Sequence, residues 1–150
     1  KGTPFWQAGE EMLRTKDGDE NSYKSSDAIN NIDWSVLKEG SNEYEMMRYY
    51  QELIRVRQEY AIFRTLNTAV IANTSYGEGR VAITLDNHAG GKALIVSNPT
   101  GEAMTYNVSG NWHMIVNGVD VMDAPEAVSG SITVPAYTAV VFVNDACLNG

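Results

Sequence analysis

Residues 2–34 read GTPFWQAGEEMLRTKDGDENSYKSSDAINNIDW, and this stretch indicates the fold more strongly than any other part of the sequence. Thr3–Gln7 is a short apolar strand candidate that runs into a long polar loop closing on Asp33 and Trp34. A parallel strand needs a partner strand, usually one crossover earlier in the chain. No such strand precedes Thr3, so we expect the sequence to be cut from a larger protein that supplies the partner.

Several segments carry a family resemblance. They are GTPFWQAGEE (Gly2–Glu11), RTKDGDENSY (Arg14–Tyr23), SSDAINNIDW (Ser25–Trp34), YYQELIRVRQEYAIFR (Tyr49–Arg64) and VPAYTAVVFV (Val134–Val143). Together they resemble the end of the catalytic barrel and the C-terminal β domain of the alpha-amylase superfamily of glycoside hydrolases, and within it the type I pullulanase branch, which cleaves alpha-1,6 branch points. The first two segments are long and specific, whereas the last is a common β pattern.

This resemblance implies a mainly β fold in two parts. Residues 1–64 would be a remnant of a catalytic (β/α)8 barrel, with Thr3–Gln7 as its eighth strand, Arg14–Trp34 as the loop and Tyr44–Phe63 as its eighth helix. Residues 65–150 would be the antiparallel β-sandwich that follows the barrel. Because the loops at the C-terminal ends of barrel strands build the active site, the polar loop would form a wall of the substrate site.

Composition excludes several other classes of protein. The chain has 150 residues, is 43% hydrophobic and carries a net charge of -8, which disfavours nucleic acid and anionic membranes as partners and suits a neutral ligand such as a glucan. No run approaches the ~18 apolar residues of a membrane-spanning helix. Cys147 is the only cysteine, and His88 and His113 lack the spacing of a zinc site, so we expect no disulfide within the chain, no metal and no cofactor. Nothing in the sequence indicates the cellular location.

Periodicity predicts the local structure. Apolar residues from Met46 to Phe63 recur at three- and four-residue steps, which predicts an amphipathic helix with Asn42 as its N-cap and an Arg55–Glu59 pair. Later runs alternate as β-strands do and are separated by glycine- and asparagine-rich turns. These runs are Ala69–Ala72, Arg80–Leu85, Ala93–Ser97, Met104–Val108, His113–Val116, Ser131–Val134 and Ala139–Val143.

The sequence offers residues that bind sugars but no complete set for hydrolysis. Glycoside hydrolysis needs two carboxyl groups facing each other across the bond, and we assign no catalytic residue, because the superfamily's catalytic carboxylates lie on earlier strands. The resemblance gives Glu11 a structural role. The predicted substrate-binding residues are Arg14, Asn21, Tyr23, Asp27 and Asn30, which supply a ring and polar groups that match sugar hydroxyls. We favour a packing role for Trp6 and Trp34, and for Tyr23 packing against the barrel rim is an equal alternative to sugar contact.

The loop that starts at Asp17 also resembles the start of a calcium loop, since side-chain oxygens alternate along it. A calcium loop of the EF-hand type needs glycine at its sixth position and glutamate at its twelfth. Ser22 and Ala28 occupy those positions. A solvated polar turn or a sugar-contacting loop is therefore the better interpretation.

Three hypotheses for function follow. The first is the C-terminal part of a pullulanase-like debranching enzyme, inactive by itself, whose parent acts on an alpha-glucan such as starch or glycogen. The second is a non-catalytic glycan-binding module, with Tyr76, Tyr106, Trp112 and Tyr137 as candidate aromatic platforms. The third is a purely structural sandwich that shields a barrel. Surface that evolved to face the missing barrel would be apolar, so self-association is also expected.

Overall fold

The computed structural model describes residues 2–148 and shows a mainly β protein with a six-stranded antiparallel sheet. The strands are β1 (Ala69–Ser75), β2 (Val81–Asp86), β3 (Lys92–Asn98), β4 (Met104–Val116), β5 (Val121–Val134) and β6 (Thr138–Val143), in the order β1-β2-β3-β6-β4-β5. The α-helices are α1 (Asp27–Asn30), α2 (Asn42–Glu59) and α3 (Asp145–Leu148), and short 3-10 turns connect them to the rest. The predicted mainly β fold class is confirmed.

Strands β3 and β6 bury side chains on both faces of the sheet. Ala93 and Val143 belong to one core cluster, whereas their neighbours Leu94 and Phe142 belong to the other. Because side chains alternate between the two faces of a strand, a strand covered on both sides is apolar at consecutive positions. This explains the unbroken apolar runs at 93–96 and 140–143.

The two faces of the sheet have different covers, and only the second face has strand packed on strand as in a sandwich. Residues Tyr60, Ile62 and Phe63 cover the first face. The far half of the β4–β5 hairpin covers the second face, where Val108 and Val134 pack in the same cluster as Phe142. The hairpin bends because the pairing of β4 with β5 shifts register after Val108.

The predicted strands are found, with one omission. The runs Met104–Val108 and His113–Val116 form one continuous strand, β4, and the first ten residues of β5 were not predicted. The prediction missed these residues because they include Pro125. Proline cannot donate a ladder hydrogen bond, so its presence argues against a central strand. Proline is tolerated here because β5 is an edge strand and the pairing with β4 is irregular between Met114 and Val116.

The chain divides into two compact units, Thr3–Ile54 and the chain from Arg55 onward together with Gly2. The predicted strand at Thr3–Gln7 is wrong for this structure, which shows no regular secondary structure at those residues. A strand persists only when a neighbour satisfies its backbone groups, and residues 3–54 contain no strand. Phe5 is 98% exposed as a result.

Helix α2 differs from its prediction at both ends. Ser41 is the N-cap instead of Asn42, since its hydroxyl accepts a hydrogen bond from the Tyr44 backbone N–H at 3.1 Å. The helix ends at Glu59, and a 3-10 turn at Ala61–Phe63 follows it. The Arg55–Glu59 ion pair is confirmed at 2.9 Å, and both side chains are close to half exposed. None of the helices in residues 2–148 combines the length and apolar character needed to cross a bilayer.

Candidate functional site

Arg14 ties the two ends of the polar loop together. Its guanidinium donates to the carbonyl oxygen of Ala8 at 3.1 Å, to that of Ile29 at 3.4 Å and to that of Asn30. Its backbone N–H donates to the Gly9 carbonyl at 2.9 Å. The forked donor geometry of arginine suits several acceptors at once. The predicted site residue Arg14 is therefore the clamp that closes the loop, and it is half-buried.

Asn30 provides a second set of restraints inside the loop. Its side-chain amide nitrogen donates to the carbonyl oxygens of Ser22, at 2.7 Å, and of Ser25, at 3.0 Å. The backbone carbonyl oxygen of Asn30 accepts a hydrogen bond from the Arg14 guanidinium. Arg14 and Asn30 therefore form one network that fixes the backbone between residues 8 and 30. Both side chains therefore donate hydrogen bonds to backbone carbonyl oxygens of this same segment.

Acidic residues of this unit are held by local donors. Asp19 accepts from the Ser25 hydroxyl and from the Asn21 backbone N–H, and these bonds lower the pKa of Asp19. The Ser35 hydroxyl and backbone N–H lower the pKa of Asp33 in the same way. Glu11 accepts from the Gly9 backbone N–H at 3.0 Å. This contact agrees with the structural role expected for Glu11.

The remaining predicted site residues are exposed. Asn21 and Asp27 face solvent, and Tyr23 is 76% exposed with the Lys24 ammonium 5.2 Å from the centre of its ring. Of the tryptophans, Trp6 packs edge-on against Tyr50 with ring centres 5.8 Å apart. Trp34 is 65% exposed, so the packing role favoured for it is not seen.

A cleft of about 270 Å³ adjoins Arg14 within the same unit. It is lined by residues 12–17, by Ala28 and Ile29 of α1, and by Glu43 of α2, among others. Of the five predicted binding residues, only Arg14 lines it. Arg14 Nε is buried and has no hydrogen-bond partner among the atoms of residues 2–148. Sequence reasoning missed this cleft, because its walls come from segments with no shared pattern.

The aromatic residues of the sheet unit lie in separate places. Tyr76 and Tyr106 meet edge to face with ring centres 5.9 Å apart, and burial raises the pKa of Tyr106. Tyr137 is 77% exposed. The Trp112 indole N–H donates to the Ser109 carbonyl at 3.0 Å. The structure therefore pairs Tyr76 with Tyr106 and fixes Trp112 on its own turn.

Neither a metal centre nor a reactive thiol emerges from the described part of the chain. Residues 2–148 contain no group of three or more His, Cys, Asp or Glu side chains that could hold a metal ion. Burial raises the pKa of the Cys147 thiol, although hydrogen bonds with Lys92 and Asn144 oppose this effect. A raised pKa keeps the thiol protonated, and the thiolate is the nucleophilic form.

We predict that Gly9→Ala will disrupt the Arg14 clamp. Gly9 has a φ of 98°, and an added Cβ would lie 2.5 Å from Arg14 Cδ. The matched control is Gly18→Ala in the same unit, where φ is 78° but nothing lies within 4 Å of the new Cβ. The control should cost about 1 kcal/mol through backbone strain alone and Gly9→Ala about 2–3 kcal/mol.

Amide hydrogen exchange at Arg14, whose N–H bonds to Gly9, gives the readout for this pair of variants. Faster exchange in Gly9→Ala than in Gly18→Ala is the expected result. Equal exchange rates in the two variants would show that the clamp does not depend on the close approach of Arg14 to Gly9.

Comparison with known proteins shows which proteins this chain is similar to. The pullulanase from Bacillus acidopullulyticus superposes on 95% of this chain and 18% of its own, with a TM-score of 0.78 and 29% sequence identity. The pullulanase of Bacillus subtilis (strain 168) is 41% identical over 71 residues, which are 47% of this chain and 10% of that protein. This chain is pullulanase-like. No family model matches the sequence.

Another solved structure shares the fold of this pullulanase-like chain. The type I pullulanase of Bacillus subtilis str. 168, complexed with maltose, has a TM-score of 0.79 and 21% identity over 95% of this chain and 21% of that one. The match thus covers about a fifth of the length of each of the two solved proteins, and its 71-residue segment covers 10% of the Bacillus subtilis (strain 168) sequence. These likenesses are therefore to a part of each pullulanase and not to its full length.

Proposed function

We propose that this chain serves as the C-terminal part of an enzyme that hydrolyses alpha-1,6 bonds in an alpha-glucan. The observation that carries the proposal is the likeness of 95% of the chain to a pullulanase at 29% identity. In the parent, residues 1–64 would complete the catalytic barrel and residues 65–150 would form the sandwich domain beside it. The missing barrel is then the first partner of this chain, and the glucan is the second.

Within that enzyme, the polar loop would contribute to glucan subsites. Arg14 and Asn30 fix the backbone, and Asn21, Tyr23 and Asp27 project to solvent from the fixed segment. A surface that is ordered before binding loses less entropy when a ligand docks. The exposed ring of Tyr23 offers an apolar face to a sugar ring, and the neighbouring amide and carboxylate offer partners to its hydroxyls.

The chain alone would not hydrolyse glucan. Retaining hydrolysis uses a nucleophile and a general acid that face each other about 5 Å apart across the bond. Glu10 and Glu11 are adjacent in sequence, and the Glu11 carboxylate is bound to the Gly9 N–H. The chain would therefore supply a substrate wall and support, while other parts of the parent supply the acid and the nucleophile.

A chimera tests the proposal. This chain replaces the matched segment of the Bacillus acidopullulyticus pullulanase, and pullulan hydrolysis is measured for the chimera and for two variants with the same substitution. Tyr23→Asn and Tyr137→Asn both remove a ring that is about three-quarters exposed, 76% and 77% respectively. We expect kcat/KM to fall about fivefold for Tyr23→Asn and to stay unchanged for Tyr137→Asn.

Two results would contradict the proposal. One is a chimera that folds, as judged by its circular dichroism and melting temperature, and yet hydrolyses no pullulan. The other is an active chimera in which the two tyrosine variants behave alike.

The glycan-binding module is the second candidate, because Trp112 lines a groove in the sheet unit. Affinity electrophoresis on starch or pullulan tests whether the sheet unit or the polar loop holds the glucan. Retardation of the chain that is abolished by Trp112→Ala but kept in Tyr23→Ala assigns glycan binding to the sheet unit. A purely structural sandwich predicts no retardation at all.

Self-association stays a prediction that sedimentation can check. The unit Thr3–Ile54 exposes seven large apolar side chains, among them Phe5, Leu13, Tyr23 and Trp34. Contiguous apolar patches on a soluble protein tend to associate. We expect a mass above that of the monomer in the isolated chain, and a strict monomer would contradict this expectation.

A further inference from the structure

A groove of about 330 Å³ lies wholly within the sheet unit, at the bend of the β4–β5 hairpin. Its walls are residues 110–113 of β4, residues 127–129 of β5 and Asp145 of α3. The groove exists because the pairing is uneven: Val108 pairs with Gly130 and Trp112 with Val128, so β4 advances four residues while β5 advances two. Extra residues on one strand separate it locally from its partner.

Trp112 is held firmly in the wall of this groove. Its indole N–H donates to the Ser109 carbonyl at 3.0 Å, and the ring packs against the second core cluster. Gly110 has a φ of 102°, and a Cβ there would lie 3.4 Å from the indole nitrogen, so the turn and the ring fit closely. A ring that is fixed before binding can receive a ligand face at low entropic cost.

A polar pair stands beside the indole. His113 Nε2 lies 2.5 Å from Asp145 Oδ1, and this contact joins β4 to α3. A carboxylate accepts hydrogen bonds at about four positions, so Asp145 can serve more than one donor. Asn111 adds an amide to the same groove. One aromatic face next to a few convergent polar groups is the usual composition of a small-molecule site, and about 330 Å³ is at the lower end of the size range of such sites.

Charge narrows the class of ligand. The chain carries a net charge of -8, which repels anions such as nucleotides and phosphorylated sugars. The described residues hold no group of three or more His, Cys, Asp or Glu side chains, so the groove does not offer a set of metal ligands. A neutral pyranose meets these limits on the ligand, since its C–H face is apolar and its rim carries hydroxyl donors.

We propose that this groove binds a neutral alpha-glucan segment, with one sugar ring against Trp112 and hydroxyls on Asp145 and His113. The choice of a sugar follows from the chemistry of the groove alone. The choice of an alpha-glucan among neutral sugars rests on the proposed function. Such a site would hold a polymer away from the bond that the parent enzyme cleaves and raise its local concentration.

The test is a titration of the ¹⁵N-labelled 150-residue chain with maltotriose, followed through the indole N–H signals. Trp6, Trp34 and Trp112 give one signal each, so Trp6, which packs against Tyr50, serves as the internal reference and Trp34 reports on the polar loop. We expect the Trp112 signal to shift and saturate with a dissociation constant of about 1 mM. Glycerol, a polyol without a ring, should leave it in place, and cellotriose should shift it less.

Variants keep the test independent of folding. Asp145→Asn keeps the shape of the side chain and should weaken binding about tenfold. Ser129→Tyr fills the groove and should abolish the shift, whereas Thr133→Tyr places the same ring on an exposed position of β5 outside the groove and should not. Each variant is first shown to melt as the unmodified chain does.

The proposal is overturned if maltotriose leaves Trp112 unmoved, if glycerol moves it equally, or if Ser129→Tyr binds as well as Thr133→Tyr. An equal response to cellotriose overturns the alpha-glucan assignment. These results are separate from those of the chimera, because the loop is read through Tyr23 and the groove through Trp112. If maltotriose binds at Trp112 and Tyr23→Asn leaves kcat/KM of the chimera unchanged, the results would support this site and contradict the proposed loop function.

Discussion

Replacing Phe142 with alanine is expected to lower the free energy of unfolding of the sheet unit by about 4 kcal/mol. Phe142 is fully buried on β6, and its register partners are Leu94 on β3 and Met114 on β4. Its ring lies in the cluster where the β4–β5 hairpin packs over the sheet. Alanine would leave a cavity between the two layers, and the loss combines the transfer free energy of the ring with the cost of that cavity.

Urea denaturation of the whole chain measures this effect. Thr133→Ala is the control, since Thr133 is exposed on β5 and its truncation should change the free energy of unfolding by no more than about 0.5 kcal/mol. A loss below about 1 kcal/mol for Phe142→Ala would mean that the two layers are not packed around this ring.

Asn98→Ala is expected to destabilise the same unit by about 3 kcal/mol. Asn98 is completely buried, and its amide nitrogen donates to the carbonyl oxygens of Glu102 at 2.8 Å, Val134 at 3.3 Å and Pro135 at 2.9 Å. Its side-chain oxygen accepts from the Thr100 hydroxyl at 2.8 Å. Alanine would leave these partners unsatisfied, and unpaired buried polar groups are costly.

Asn107→Ala provides the comparison for this variant. Asn107 is exposed on β4, so its truncation removes the same atoms without orphaning buried groups. We expect a lower urea midpoint for Asn98→Ala with an unchanged slope, and almost no change for Asn107→Ala. If the two asparagine variants unfold at the same urea concentration, the buried network does not contribute to stability.

The sequence indicated much of the sheet because burial leaves a visible pattern. Strand β2 alternates between apolar and polar residues, and β3 and β6 are apolar at consecutive positions, so all three could be recognised. The first half of β5 could not, because Pro125 breaks the pattern and only the edge position tolerates it. The strand at Thr3–Gln7 failed for a different reason: its sequence is suitable, but residues 3–54 offer no strand to pair with.

The structure shows contacts of the candidate site residues that the sequence did not predict. The sequence selected Arg14 and Asn30 as polar residues near Tyr23, but their bonds reach backbone carbonyls as many as 16 residues away. Sequence spacing cannot predict such contacts, because every residue carries a backbone carbonyl oxygen that could be the acceptor. For the same reason, the groove beside Trp112 was invisible, since it depends on the register between two strands and on Asp145 from α3.

The most direct test of the account is the reducing sugar released from pullulan by the purified 150-residue chain, assayed beside the chimera that contains it. The account predicts no release above the buffer blank from the chain and steady release from the chimera. Turnover by the chain alone, in a preparation shown to be free of host amylase, would contradict it. Hydrolysis would then need an acid and a nucleophile within these 150 residues.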